Sequence, residues 1–349
     1  MRRKIYLYML ICCFAVLLGT TGCLQNFVPQ LFREKEQKKS IVAEEQKKPE
    51  QQEIVREELP PGVLRYQVYF LEEKSHNLLP VTVLQPWTEG VARAALERLI
   101  KGPTPAEEMR FGISSPLPPQ TAIVGINIRG GLCRVDFSRA FLDYDPGMER
   151  EVLTSVVYTL LQFNTVNEVE IVVEGSPVEI FPGGTPGRGT FNMQHSLNLE
   201  VADNVGDLAA AQQLRLYFCT LLGENSIFYV PITRVVAEKG ELVQTAVDEL
   251  LKGPRPGSNL FSDLPPGTKL HNFSLQGGIL LVDFSRELLQ YQGGRSGEEN
   301  IINQLVLTLT ALPGVERVQI LVEGEKLLLP HGTSLKTPLP PPLLYNQLK

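Results

Sequence analysis

Two pairs of carboxylates are the side chains in this sequence that most resemble catalytic groups. Asp136 precedes Glu174 by 38 residues, and Asp283 precedes Glu323 by 40 residues. All four stand near the ends of short apolar runs of the kind that form β-strands. Two carboxylates at the ends of neighbouring strands can act as the general acid and the base or nucleophile of a glycosidase. A cell-wall hydrolase is therefore one hypothesis for the chain.

The same short motifs occur twice along the chain, in the same order and at an offset of 147 to 151 residues. The matching segments are Leu99–Pro103 with Leu250–Pro254, Leu117–Pro119 with Leu264–Pro266, Val135–Ser138 with Val282–Ser285, and Ile171–Gly175 with Ile320–Gly324. Repetition at a fixed period indicates a duplicated structural unit. We predict a signal peptide (1–23), a charged tether (24–63), two copies of one domain (64–191 and 214–333), a linker (192–213) and a Pro-rich tail (334–349).

The residue pattern predicts the same order of strands and helices in each copy. Aromatic and β-branched residues indicate an opening strand, and apolar residues at helical spacing then predict a helix that ends at Gly-Pro. A long Pro-rich loop follows (Thr104–Gln120 or Arg255–Thr268), and then a hairpin with a Gly-Gly turn, which suits a two-residue primed turn. A second helix and a last strand close the copy. We therefore predict an α+β fold with two tandem small domains, each an αββαβ core with both helices on one face of a small sheet.

The residues around the carboxylates also allow a structural interpretation, which we favour. Asp136 faces away from the Val and Phe beside it, toward the other side of the sheet. Ser138 and Ser285 follow the strand directly, where a hydroxyl can bind backbone groups at a turn or helix start. Each glutamate precedes a glycine, which is typical of a turn after the last strand. We therefore predict no catalytic residue. The candidate motif residues, to which we assign a structural role, are Asp136, Ser138, Glu174, Asp283, Ser285 and Glu323.

The histidines show no pattern that would bind a metal. When the two copies are aligned, His271 stands opposite Val124 and His331 opposite Pro182. No histidine has a second ligand at a metal-binding spacing. We predict no metal site and no cofactor.

The cysteines, the glycine-rich stretch and the net charge argue against three further kinds of function: thiol chemistry, phosphate binding and nucleic-acid binding. Cys133 and Cys219 occupy apolar positions in different copies, where a free cysteine behaves as a small hydrophobic residue. The glycine-rich stretch at 183–187 lacks the Gly-Lys-Ser/Thr of a phosphate loop. The chain has 33 basic and 39 acidic residues, a net charge of −6. Because nucleic-acid binding needs a basic surface, we expect no nucleic-acid partner.

The N-terminus predicts export. Arg2, Arg3 and Lys4 precede an uncharged apolar run over 5–18, which is too short to span a membrane comfortably and fits a signal-peptide core. Gly22-Cys23 then resembles a bacterial lipobox, although Thr20 stands where leucine is usual. Cys23 is the predicted lipid attachment site, on the extracytoplasmic face of the cell membrane. An uncleaved anchor and an ordinary cleaved signal are the alternatives.

The segment after the signal is strongly charged. Between residues 33 and 58, 15 of 26 residues carry a charge and few are apolar. Such a composition cannot bury enough apolar surface to offset the entropy of ordering the chain. We expect a flexible tether that holds the first domain away from the membrane.

The four paired motifs, taken together, resemble the GerM domain of sporulation and spore germination proteins. The resemblance covers both copies, and it implies a membrane-anchored lipoprotein of endospore-forming bacteria, with a fold akin to ring-building motifs. It also implies a non-enzymatic scaffold that binds other envelope or spore-assembly proteins, as a homo- or hetero-oligomer. The expected contact surfaces are the Pro-rich loops and any unpaired strand edge.

A module that binds cell-wall glycan is the main alternative to a scaffold. Such modules stack sugars on exposed aromatic residues. Trp87 is the only tryptophan of the chain, which argues mildly against this alternative.

Overall fold

The computed structural model describes residues 59–203, 205–206, 211–237 and 240–348. The predicted signal peptide, Cys23 and nearly all of the tether lie outside this part of the chain. No helix within the described ranges is long and apolar enough to cross a membrane.

The first copy begins with a hairpin and ends with a small sheet. Its elements are β1 (Val63–Glu72), β2 (Leu78–Pro86), α1 (Val91–Lys101), α2 (Pro105–Phe111), β3 (Ile113–Ser114), β4 (Ile123–Arg129), β5 (Gly131–Phe137), α3 (Glu149–Leu161), β6 (Val166–Val173) and β7 (Ser176–Pro177). One sheet has the order β2-β1-β3 and the other β4-β5-β6-β7. The β4/β5 and β6/β7 pairs are antiparallel. The β5/β6 pair is parallel, and α3 connects these two strands along the chain.

The second copy repeats this plan. A short strand β8 (Leu199–Val201) precedes it, and its elements are β9 (Ala211–Leu222), β10 (Ser226–Ala237), α4 (Leu242–Lys252), β11 (Leu270–Gln276), β12 (Ile279–Phe284), α5 (Gly294–Thr310) and β13 (Arg317–Val322). The sheet orders are β8-β10-β9 and β11-β12-β13. The predicted α+β class with two tandem small domains is confirmed.

The helices form because their apolar residues share one face. In α1 the buried residues are Ala92, Ala95, Leu96 and Leu99, which fall at the spacing of one helical side. The helix ends at Gly102, whose φ of 70° favours glycine. Both α1 and α3 contact β1, and they also contact the β4-β5-β6 sheet, so apolar side chains from all three elements fill one core.

The Pro-rich loop of the first copy contains a helix that the sequence analysis did not predict. Thr104 caps α2, because its hydroxyl accepts the N–H of Glu107 at 3.3 Å while the Glu107 carboxylate accepts the N–H of Thr104 at 2.7 Å. The end of α2 then meets the second copy, where the ring of Phe111 packs edge-on against Phe228 at 5.7 Å between ring centroids. Part of this expected partner surface is therefore used inside the molecule.

Two asparagines join the hairpins of the two copies. Asn198 accepts the N–H of Leu78 and donates to the carbonyls of Leu78 and Pro231, each at 2.8 Å. It thus binds β2 of the first copy and β10 of the second with one side chain.

The second bridge is made by Asn346, which follows the second copy and binds a strand of the first. Asn346 accepts the N–H of Tyr229 at 2.7 Å and donates to the carbonyls of Tyr229 and Pro80, each at 2.8 Å. Asn198 and Asn346 stand at corresponding positions, and both adopt a positive φ, near 50°. Each asparagine follows one copy and binds a strand of the other, so the two domains are tied by a matched pair of bridges.

The segment that connects the copies is also packed. Tyr158 of α3 donates to the carbonyl of His195 at 2.7 Å, and Thr154 lies 2.8 Å from the His195 Nε2. Burial, together with the charge of Arg150, lowers the pKa of His195. The connecting chain therefore follows α3 before it pairs with β10 through β8.

Candidate functional site

The aspartate of each Val-Asp-Phe-Ser motif binds the turn after the last strand. Asp136 at the end of β5 accepts the N–H of Gly175 at 3.0 Å, and Asp283 accepts the N–H of Gly324 at 2.8 Å. The bond is possible because β5 and β6 are parallel neighbours, so the end of one strand lies beside the turn that follows the other. The motif therefore connects two strands that are separated by a helix in sequence.

Each glutamate of the candidate pairs belongs to that turn. Glu174 and Gly175 have φ values of 50° and 78°, and Glu323 and Gly324 have 53° and 78°. Two consecutive positive φ angles are typical of a type I′ hairpin turn. The turn predicted from the sequence is present in both copies, and in both it exposes the glutamate at its first central position.

The serines hold the start of the preceding strand. The Ser138 hydroxyl accepts the N–H of Ala122 at 3.0 Å, and its own N–H donates to the Ala122 carbonyl at 2.8 Å. Ser285 makes the same two bonds with Lys269, at 3.0 and 2.9 Å. The phenylalanine between aspartate and serine is buried in each copy. Each residue of the motif after the valine thus has a defined structural contact.

The arginine that follows each motif does not neutralise the aspartate. Within the described ranges, Arg139 and Arg286 form no ion pair with Asp136 or Asp283. The Arg286 backbone N–H instead donates to Glu323 at 2.8 Å. The Asp136 and Asp283 side chains are therefore balanced by turn amides rather than by a guanidinium group.

A second recurrent carboxylate, which the sequence analysis missed, is the first residue of α3 and the fifth residue of α5. Glu149 is only 5% exposed, and it accepts a hydrogen bond from the Tyr144 hydroxyl at 3.1 Å, one from the Gly183 N–H, and one from the Thr185 N–H at 2.8 Å. Burial opposes ionisation, but the hydrogen bonds from Thr185, Gly183 and Tyr144 outweigh it and lower the pKa of Glu149. The carboxylate fastens the loop after β7 to the helix.

Glu298 repeats this arrangement with no exposed surface. It accepts from the Tyr291 hydroxyl, from the His331 N–H at 2.9 Å and from the Thr333 N–H at 2.8 Å. Its pKa is lowered because these hydrogen bonds outweigh burial, which acts in the opposite direction. Burial and the nearby carboxylate raise the pKa of Tyr291.

The equivalent bonds correct one alignment. His331 binds Glu298 as Gly183 binds Glu149, so His331 corresponds to Gly183 and not to Pro182. The repeated letters Pro-Gly-Gly-Thr and Pro-His-Gly-Thr were the signal that could have revealed this site.

The cysteines and the possible metal-binding side chains do not come together in one site among the described residues. Cys133 and Cys219 are buried and free, and burial raises the pKa of Cys133 to about 11. Burial also raises the pKa of Cys219. Among the described residues, no group of three or more His, Cys, Asp or Glu side chains is arranged to hold a metal ion.

Two edge strands, β4 in the first copy and β11 in the second, pair with a neighbouring strand on one side only within the described part of the chain. In β4, Arg129 and Leu132 close the two-residue turn, so the next pair, Ile128 and Cys133, is a non-hydrogen-bonded one. The N–H and C=O of Ile128 therefore point away from β5.

The second copy has the same register: Gln276 and Ile279 close the turn, and Leu275 faces Leu280 in the next pair. The side chains of Ile128 and Leu275 are 36% and 46% exposed. Free backbone groups beside exposed apolar side chains are the features that a strand of another protein can bind.

Comparison with known proteins gives the family. The family model described as "Sporulation and spore germination" (Germane) matches residues 67–179 and 215–328, one match for each copy. The chain belongs to the Germane family. The predicted resemblance, in two tandem copies, is thereby confirmed.

A curated relative and two solved structures are similar to this Germane chain. Spore germination protein GerM of Bacillus subtilis (strain 168) is 30% identical over 285 residues, covering 79% of this chain and 77% of that protein. The structure of the tandem GerMN domains of the sporulation protein GerM from Bacillus subtilis matches with a TM-score of 0.72 and 28% identity, covering 81% of this chain and 99% of that one. The first GerMN domain alone matches at 26% identity and a TM-score of 0.34, covering 38% of this chain and 98% of that one.

Germane proteins are named for sporulation and germination, and the family is not known as enzymatic. The chain is therefore a GerM-like sporulation or germination protein.

Proposed function

We propose that this chain is a lipid-anchored, non-enzymatic scaffold that binds other envelope or spore-assembly proteins during sporulation or germination. The free edges of β4 and β11 carry the proposal, because each of these strands has one unpaired edge and an exposed apolar side chain. The bound partner is a second copy of this chain or a different protein of the spore envelope.

The two asparagine bridges support a scaffold with two sites. They tie β2 to β10, so the free edges belong to domains that are joined by hydrogen bonds as well as by the chain. When two linked sites engage one assembly, the second contact forms at a high effective concentration. A partner that binds both edges therefore gains affinity without any additional contact.

A hydrolase is less well supported than a scaffold. The aspartate of each candidate pair already accepts a turn amide, and each glutamate occupies an exposed turn rather than a cleft. Substrate binding at either pair would compete with these bonds.

Membrane attachment through Cys23 is the second part of the proposal. A single acyl chain holds a protein only marginally, whereas two signals give stable anchoring. Cys23→Ala should move the protein from the membrane fraction to the soluble extracytoplasmic fraction, and labelled palmitate should no longer be incorporated. Equal membrane attachment of both proteins would show that Cys23 is not the anchor.

Deletion of the gene in the source bacterium tests the developmental role. We expect a large loss of heat-resistant or germinating spores, together with normal vegetative growth. Normal spore yield and normal germination would exclude the proposed role.

A further inference from the structure

A groove of about 350 Å³ lies where the two copies and the C-terminal segment meet. Arg65 of β1 and Arg215 of β9 line it from the two copies, beside Tyr217 and Tyr345. None of the described residues that line it is acidic. Two guanidinium groups thus face one cavity in a chain whose net charge is negative.

Neither arginine has an anionic partner among the described residues. The Nε atoms of Arg65 and Arg215 are both buried without a hydrogen-bond partner there. A buried donor on a charged group that is left unpaired costs free energy, and most such donors in proteins are paired. Two guanidinium groups that line one groove without an anionic partner indicate that a ligand supplies the missing negative charge.

Arg215 is held in position although its charge is not balanced. One of its Nη atoms donates to the Tyr158 hydroxyl at 2.7 Å, and its guanidinium carbon lies 5.0 Å from the centroid of the Tyr158 ring. These contacts use one Nη atom of Arg215, and no hydrogen bond or ion pair among the described residues uses the other. An arginine edge with two parallel N–H groups matches a planar carboxylate.

Most of the other residues that line the groove are apolar. Pro341 and Pro342 line it, and the side chains of Met193 and Leu343 at its margin are 50% and 42% exposed. A ligand that carried only charge would leave these surfaces in water. The composition of the groove therefore fits an anion attached to an apolar group.

We propose that this groove binds a carboxylate ligand with an apolar substituent, through the guanidinium groups of Arg65 and Arg215. The site is independent of the free sheet edges, because it uses neither β4 nor β11. Inorganic phosphate shares the negative charge but lacks the planar oxygens and the apolar part, so it serves as the competing probe.

Nuclear magnetic resonance of the arginine Nε–H groups tests the proposal on the full-length chain in detergent. The probes are 4-phenylbutyrate, its neutral amide 4-phenylbutyramide, and inorganic phosphate, each titrated to about 50 mM. We expect saturable shifts of the Arg65 and Arg215 signals with the carboxylate alone. No saturable shift with the carboxylate, equal shifts with the amide, or saturation by phosphate in place of the carboxylate would overturn the proposal.

Variants then assign the binding to the two side chains. Arg65→Met and Arg215→Met should each weaken carboxylate binding at least tenfold. Arg129→Met, at an exposed position in β4, is the matched control and should leave the affinity unchanged. Equal binding by all four proteins would place the ligand elsewhere and contradict the proposal, and the wild-type titration decides the question if a variant fails to fold.

Discussion

Replacing Asn346 by alanine should destabilise the junction between the two domains. The side chain is 4% exposed and makes three hydrogen bonds, with lengths of 2.7, 2.8 and 2.8 Å, to backbone groups of both copies. Alanine would remove all three and leave the strand groups of Tyr229 and Pro80 without these partners.

The expected loss follows from the number of bonds. Each hydrogen bond contributes about 1 kcal/mol net, and buried groups that lose their partners cost more. The φ of 54° at Asn346 adds a further penalty of about 1 kcal/mol for alanine, because non-glycine residues other than asparagine and aspartate disfavour that region. We therefore expect Asn346→Ala to lower the free energy of unfolding by about 4 kcal/mol. Asn346→Gly, which tolerates the angle, should lose about 3 kcal/mol.

Urea denaturation followed by far-ultraviolet circular dichroism measures this loss. Asn198→Ala should cost less, about 2 kcal/mol, because Asn198 is only partly buried and water can replace some of its bonds. Asn127→Ala, at an exposed asparagine, should change the stability by less than about 0.5 kcal/mol. A loss below about 1 kcal/mol for Asn346→Ala would refute the view that the bridge holds the domains together.

Three further predictions concern the recurrent motifs. Asp136→Asn with Asp283→Asn should cost less than about 1 kcal/mol in urea unfolding, because the amide oxygen still accepts the turn N–H. For Glu149 and Glu298 the folded pKa is lowered, so their contribution to stability is full above the unfolded value of about 4.3 and is lost as the pH falls through the folded pKa. Replacing both with glutamine should lower stability at pH 7 and flatten its decrease in acid. Gly183→Ala should cost about 2 kcal/mol or more by urea unfolding, since its Cβ would lie 2.6 Å from the Pro146 carbonyl oxygen.

Each of these has a distinct contrary result. A large stability loss with both aspartates changed to asparagine would mean that their charge is required. An unchanged acid profile in the glutamine variant would assign the acid sensitivity to other groups. An alanine at 183 with wild-type stability would show that the loop can move away from the helix.

The parts of the fold that depend on local sequence could be predicted. The Gly-Gly hairpins, the Glu-Gly turns and the serine contacts involve residues that are adjacent or that recur in both copies. The capping box of α2 was also visible, since Thr104 and Glu107 have the required spacing. It was missed because the prolines of that segment suggested an irregular loop.

The contacts that join the domains could not be predicted in the same way. Asn198 binds a residue 120 positions away, and Asn346 binds one 266 positions away. Nothing in the neighbouring residues specifies such partners. Comparison of the two copies could have identified these asparagines as a repeated feature, because they are separated by 148 residues, which is close to the offset of the other motifs. They lie in the segments that were predicted to be a linker and a tail.

The spore yield of an edge variant tests the central claim most directly. Ile128→Lys with Leu275→Lys places a charge on both free edges, which prevents strand pairing while leaving the inner ladder intact. Leu221→Lys with Ile180→Lys, at exposed apolar positions outside β4 and β11, is the control. With equal protein levels, we predict that the edge variant gives the heat-resistant spore count of the deletion strain and that the control gives the wild-type count. A wild-type count from the edge variant would contradict a scaffold that acts through its sheet edges.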